Sequence, residues 1–205
     1  MKLKSTLLRM RLFVIVATAL AATASFALAG SVYRNTRFGV VLNYAGLPVQ
    51  EKEIASYIPP QSYLRSSTQT LLTLYLNPTV YEGTNLENGS LRLSANGTLT
   101  QDKCYRYQNT DGVNVYATYV LDRTRTVQGN SWRYTDPQPL GGAALGHQSA
   151  GELYRLYKNR TCFEVVLQLS TVSRANFDNP DFLKEANTTK MFNYLGATFN
   201  RLQIR

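Results

Sequence analysis

Histidine, cysteine and tryptophan are almost missing from this chain. Its 205 residues include one His, two Cys and one Trp. Structural zinc sites draw on clusters of Cys and His, and no such cluster can be built here. Acids are also few, 13 against 22 Lys and Arg, and no acidic cluster suggests calcium. Glycine-rich phosphate-binding motifs are absent, as are repeats, heptads and long low-complexity tracts. Beyond residue 29 no apolar run is long enough to span a membrane. No cofactor, no metal and no membrane-spanning segment in the mature chain are therefore expected.

The first 29 residues have the pattern of a secretory leader. Lys2, Lys4, Arg9 and Arg11 precede an apolar run from Leu12 to Ala24, and Ala27-Leu28-Ala29 is a small-x-small cleavage site. Cleavage near Ala29 leaves residues 30–205 as one exported domain, periplasmic or secreted. The four cations lost leave 18 Lys and Arg against 13 acids, a net +5. That excess is mild and scattered, so nucleic acid is not an expected partner; an envelope protein or glycan fits better. In an oxidising compartment Cys104 and Cys162 read as one disulfide, with two free thiols as the alternative.

Strand patterns dominate the rest. Tyr33–Tyr44 reads as an opening strand, bounded by Ala45-Gly46-Leu47-Pro48, and Thr68–Leu76 alternates before Asn77-Pro78. Ser90–Ser94 alternates between two turn signals, Asn88-Gly89 and Asn96-Gly97. Val113–Val120 has the alternation of a half-buried strand. Leu153–Tyr157 and Thr161–Ser170 make a hairpin around Lys158-Asn159-Arg160. In its second arm Phe163, Val165, Leu167 and Leu169 form an apolar face. Cys162, Glu164, Val166 and Gln168 lie opposite, which puts the disulfide on the far side of the sheet under a covering segment. Late in the chain Asp178-Asn179-Pro180 predicts a short helix to about Ala186. Asn187 predicts a second, through Leu195 and stopped by Gly196, ahead of a closing segment over 198–204. The expected class is α+β, mainly antiparallel sheet with short C-terminal helices.

Two stretches carry a resemblance. Tyr33-Arg34-Asn35-Thr36-Arg37-Phe38-Gly39-Val40-Val41-Leu42-Asn43-Tyr44 resembles the opening strand of exported proteins with a PsbP/Mog1-like α+β sandwich. Gly146-His147-Gln148-Ser149, followed by Tyr154 to Glu164, resembles a run in uncharacterised bacterial secreted proteins. Arg160 stands where those have Gly, and Phe163 where they have Tyr. The resemblance implies the sandwich fold and export; it implies no catalytic residue.

Candidate chemistry is sparse. Gly146-His147-Gln148-Ser149-Ala150-Gly151 lacks the spacing of a nucleophile elbow and is expected to be a loop leading into the hairpin. Glu51 and Glu53 sit in a polar stretch, and Asp178 and Asp181 serve a helix start. Glu164 is expected to pair with Arg155 or Lys158 on the neighbouring strand. The most suggestive feature is a set of cations interleaved with aromatics in two stretches that the disulfide would bring together. The cations are Lys103, Arg106, Arg123, Arg125, Arg133, Arg155, Lys158 and Arg160. The aromatics are Tyr105, Tyr107, Tyr116, Tyr119, Trp132, Tyr134, Tyr154 and Tyr157. Arg and Tyr are enriched in binding surfaces. Arg106, Arg123, Arg125, Trp132, Arg155, Tyr157 and Lys158 are therefore the candidate binding residues, on the sheet face or the 132–146 loop. The expected function is a non-enzymatic exported binding or accessory protein of the bacterial cell envelope. The alternative is a hydrolase of an envelope polymer using His147, Ser149 or Glu164.

Overall fold

The computed structural model describes residues 31–55, 59–60, 62–64, 67–106, 121–143, 146–177 and 180–205. In chain order it contains β1 (Val32–Asn35), β2 (Val40–Asn43), β3 (Val49–Gln50), β4 (Gln69–Leu76) and β5 (Leu86–Asn96). Helix α1 (Gln101–Tyr105), β6 (Arg123–Val127), β7 (Asn130–Tyr134) and β8 (Gln138–Ala143) follow. Then come β9 (His147–Lys158), β10 (Thr161–Val172), helix α2 (Thr188–Phe199) and β11 (Leu202–Ile204). The structure is mainly antiparallel sheet with two α-helices among the described residues, an α+β organisation.

The hairpin of β9 and β10 is the spine. Asn159 and Arg160 turn it, both with positive φ, 50° and 59°, the conformation whose twist matches that of the flanking strands. Arg160 adopts that conformation without the glycine that normally relieves it. β10 lies at the centre of an eight-stranded sheet of order β3-β4-β5-β10-β9-β7-β6, with β8 paired to the first half of β9. β1, β2 and β11 form a separate three-stranded sheet.

The period-two pattern of β10 divides the large sheet's two faces. Phe163, Val165 and Leu167 stand opposite Ala95, Leu93 and Leu91 of β5, and all are buried. Against this first face pack Met191, Leu195 and Phe199 of α2, and Val40, Leu42, Leu202 and Ile204 of the small sheet. The second face carries a smaller apolar cluster, Leu121, Leu140, Leu153 and Val166, with Tyr63 packed on it. The rest of that face is polar yet buried. Its residues include Asn88, Ser90, Ser94, Arg155, Glu164, Gln168 and Ser170. Cys104 and Cys162 are joined, with Cα atoms 5.5 Å apart, so the disulfide fastens α1 over the second face.

Several local expectations change. Tyr33–Tyr44 is two strands, β1 and β2, folded back on each other around a turn at residues 36–39. Asn88-Gly89 is not a turn but lies inside β5, because the missing side chain makes room for core leucines. A Cβ on Gly89 would come within 2.4 Å of Leu76 Cδ1. The stretch 132–146, expected as a loop, holds the end of β7 and all of β8 among its described residues. The helix expected to run to Ala186 is only a 3₁₀ turn, Pro180–Phe182, whose Phe182 is 79% exposed and so has nothing to pack against. Asn187 does cap α2, its Oδ1 accepting from Lys190 N at 2.9 Å. The helix continues through Gly196 to Phe199, since burial of Leu195 and Phe199 outweighs the cost of about 1 kcal/mol for a mid-helix glycine. The leader over 1–29, the strand over 113–120 and the Asp178-Asn179 helix start lie outside the described residues.

Candidate functional site

Among the described residues, the named cations and aromatics do not assemble into one surface. Trp132 is 0% exposed and packs edge-on against Phe199 at 5.1 Å between ring centres. Its inward position on β7 makes it core, so it cannot meet a partner at the surface. Arg155 is likewise interior. Its Nε and Nη2 donate to Glu164 Oε2 at 3.0 and 2.8 Å, and it also donates to Cys104 O and Tyr63 O. The cross-strand pairing with Glu164 is as the register requires, Arg155 standing opposite Glu164. Lys158 Nζ donates to Asn130 Oδ1 and Ile204 O at 2.8 and 2.7 Å, tying the hairpin end to β7 and β11. Tyr157 is half-buried, and its N–H donates to Tyr105 Oη.

Arg123 and Arg125 share one side of the edge strand β6, Arg123 bound to Asp136 at 2.6 Å and Arg125 to Tyr154 Oη and Asn200 Oδ1. Arg106 closes α1 and pairs with Asp102 in solvent. On the opposite side of β7, the Arg133 guanidinium lies 4.3 Å from the Tyr105 ring centre. Tyr107, Tyr116 and Tyr119 lie outside the described residues.

Beside Arg125, Glu152 accepts a hydrogen bond from Tyr154, whose ring stacks on Tyr134 at 5.2 Å. Burial raises the Glu152 carboxyl above its ordinary range, although Tyr154 and Arg125 pull it back. Burial, and then Glu152, push the Tyr154 hydroxyl up. The folded protein thus holds the Glu152 proton more tightly than the unfolded chain does. Its stability contribution is full at acid pH and is lost as pH rises through the ordinary carboxylate range toward the raised value. Glu152→Gln is expected to gain stability relative to the wild type as the pH rises through the ordinary carboxylate range and above it. Thermal melts across that range check it; a constant difference would contradict the assignment.

A second polar cluster was invisible in the sequence. Ser170 pairs with Asn88 but Thr171 pairs with Leu86, so Glu87 is an extra residue bulged out of β5. From there its Oε2 lies 2.8 Å from His147 Nδ1. His147 opens strand β9 rather than sitting in a loop, and is buried opposite Val172. Ser149, two residues on, is also buried, and its Oγ has no hydrogen-bond partner. Glu164 is 0% exposed and held by Arg155, Ser62 and Tyr63, so it has no route to a substrate.

Two adjoining cavities open at this end of the sheet. One, of about 320 Å³, is mostly apolar, with Pro137, Pro139, Ala150, Leu169 and Phe192 among its walls and Ser149 in its lining. The other, of about 410 Å³, is polar, walled by Asn85, Ser173, Arg174 and Glu185. Gln148 and Thr171 belong to both. The backbone sets the polar wall: Asn85 Nδ2 donates to Val172 O, its Oδ1 accepts from Ala186 N, and Ser173 N donates to Gly146 O. Gly146, at φ 69°, is required there, since a Cβ would stand 2.7 Å from that of Ser173. Arg174 touches Asp181 only at 3.7 Å, in solvent, a contact of little strength. The cleft therefore offers an apolar chamber beside a hydrogen-bonding one.

No family model and no curated protein match the sequence. Among solved structures, LpqN, described as involved in cell envelope biogenesis of Mycobacterium tuberculosis, aligns with 76% of this chain and 91% of its own. The identity is 10% and the TM-score 0.39. Among the described residues no helix is long and apolar enough to cross a membrane.

Proposed function

We propose that this chain is a non-enzymatic exported binding or accessory protein of the bacterial cell envelope, seating an amphipathic ligand in the cleft around Gln148 and Thr171. The observation that carries this reading is the pair of adjoining cavities, one apolar and one polar, that share those two residues. Pockets with apolar walls and a few fixed polar groups are the common form of small-ligand sites. The leader pattern over 1–29 supports export, and the buried disulfide suits an oxidising compartment. The resemblance of Tyr33–Tyr44 to the opening strand of exported PsbP/Mog1-like proteins supports the same reading.

Hydrolysis is the second reading, and the Glu87–His147 contact is what favours it, since a carboxylate can orient an imidazole base. Ser149 weighs against it, because its Oγ is not bonded to His147. The test is to incubate the purified mature chain with an envelope extract and identify what it retains by mass spectrometry. Retention of an amphipathic molecule, lost in a folded Ala150→Trp variant, is the expected result. An empty wild-type protein would end the cleft reading. A polymer turnover that disappears in His147→Ala would replace it with hydrolysis.

A further inference from the structure

Described residues 54–55, 59–60 and 62–64 lie across the second face of the large sheet as parts of a strap. Its described residues form neither helix nor strand. The sheet grips it through side chains. Asn88 Nδ2 donates to Ile54 O at 3.3 Å, Gln168 Nε2 to Pro59 O at 3.4 Å, Arg92 Nη1 to Pro60 O at 2.6 Å and Arg155 Nη2 to Tyr63 O at 2.8 Å. Glu164 Oε1 accepts from Tyr63 N at 2.7 Å and from Ser62 Oγ at 2.8 Å. The Tyr63 ring packs on the apolar cluster of Leu121, Leu140, Leu153 and Val166.

This is how a groove holds an extended peptide. Side chains of the receptor read main-chain carbonyls, one aromatic anchor fills an apolar site, and proline presets the extended backbone without leaving an N–H to satisfy. Pro59 and Pro60 supply that backbone here.

The strap does not use all that the face offers. Asn88 Oδ1, Arg92 Nε and Ser94 Oγ are buried and have no hydrogen-bond partner among the described residues. All three residues point to the strap side, since they stand opposite Ser170, Val166 and Glu164. Positions 88 to 94 of a strand span roughly 20 Å, about six residues of extended chain. Native proteins leave few buried polar atoms unpaired, and a row of them under one segment marks capacity for a different occupant.

We propose that this face is a binding groove for an extended segment of a partner protein that carries a proline followed three positions later by an aromatic residue. The stretch that carries Pro59, Pro60, Ser62 and Tyr63 is its resident, displaceable occupant, with Pro60 and Tyr63 in those two places. The groove is on the second face and does not depend on the cleft reading.

The test uses a labelled peptide with the sequence of residues 54–64 and fluorescence anisotropy against the full mature chain. Tyr63→Ala in the protein removes the resident anchor, and Pro60→Gly loosens the strap should the first variant fail to fold. Either folded variant is expected to bind the peptide at least tenfold more tightly than the wild type does. Adding Arg92→Met is expected to weaken that binding about tenfold or more, the effect of losing a charged hydrogen bond. A peptide with Ala at the Tyr63 position should bind no better than a scrambled control. If both loosened variants are folded and bind the native and scrambled peptides equally, the groove does not exist. Exchange of the 62–64 amides as slow as that of β10 in wild type would also overturn the proposal, since the strap would then release only on global unfolding.

Discussion

Replacing Glu164 with leucine is expected to destabilise the protein by about 3–5 kcal/mol, the usual consequence of breaking a fully buried ion pair from one side. Glu164 and Arg155 have side-chain exposures of 0% and 2%. Without the carboxylate, the Arg155 guanidinium would stay enclosed and lose both hydrogen bonds to Glu164, while keeping those to Cys104 O and Tyr63 O. Ser62 Oγ and Tyr63 N would lose their acceptor as well. The double variant Arg155→Met, Glu164→Leu removes both charges and keeps apolar volume, so it should recover a large part of the loss. Urea unfolding of the two variants measures this. A single variant within about 1 kcal/mol of wild type would mean that solvent reaches the pair and the second face is not sealed.

Removing the disulfide is expected to cost about 4 kcal/mol in the chain-entropy account, because the crosslink joins residues 58 positions apart. For a chain of this size that corresponds to a fall in Tm on the order of 10 °C. The Cys104→Ser, Cys162→Ser double variant, or wild type under reductant, supplies the measurement. A Tm shift of only a degree or two would show that the unfolded state is already constrained around this crosslink. Arg155 also donates to Cys104 O, so the disulfide and the ion pair share a neighbourhood. Their effects should therefore not add, and a combined variant should lose less than the sum of the two.

The parts of the fold that were legible in the sequence are those carried by short-range pattern. The alternation over Phe163–Leu169 named the core face. The Asn159-Arg160 turn placed the hairpin, and once strands were paired the register brought Arg155 to Glu164. The two cysteines named their own bond. Asn187 identified the start of α2. What failed did so for physical reasons tied to distant neighbours. Asn88-Gly89 has turn chemistry, but Leu76 and Leu169 need the space that Gly89 leaves. Gly196 is a stop signal that packing of Phe199 overrides. Trp132, counted among surface aromatics, is drawn inside because its face of β7 meets α2.

The candidate site was less legible than the fold. His147 and Ser149 were visible as residues, but Glu87 reaches His147 across 60 positions and only through a bulge. The cleft combines residues from β8, β9, β10 and α2. Nothing in the sequence signalled that Asn88, Arg92, Glu164 and Gln168 would hold the carbonyls and an amide of the strap. By itself, then, the sequence determined the leader pattern, the strand-rich class, the apolar face of β10 and the cysteine pair. Each of these depends on neighbours within a few residues, or on there being only one possible partner. The buried polar face, the strap upon it and the cleft were decided by tertiary structure, because the energy of a buried polar group is set by whichever distant segment comes to cover it.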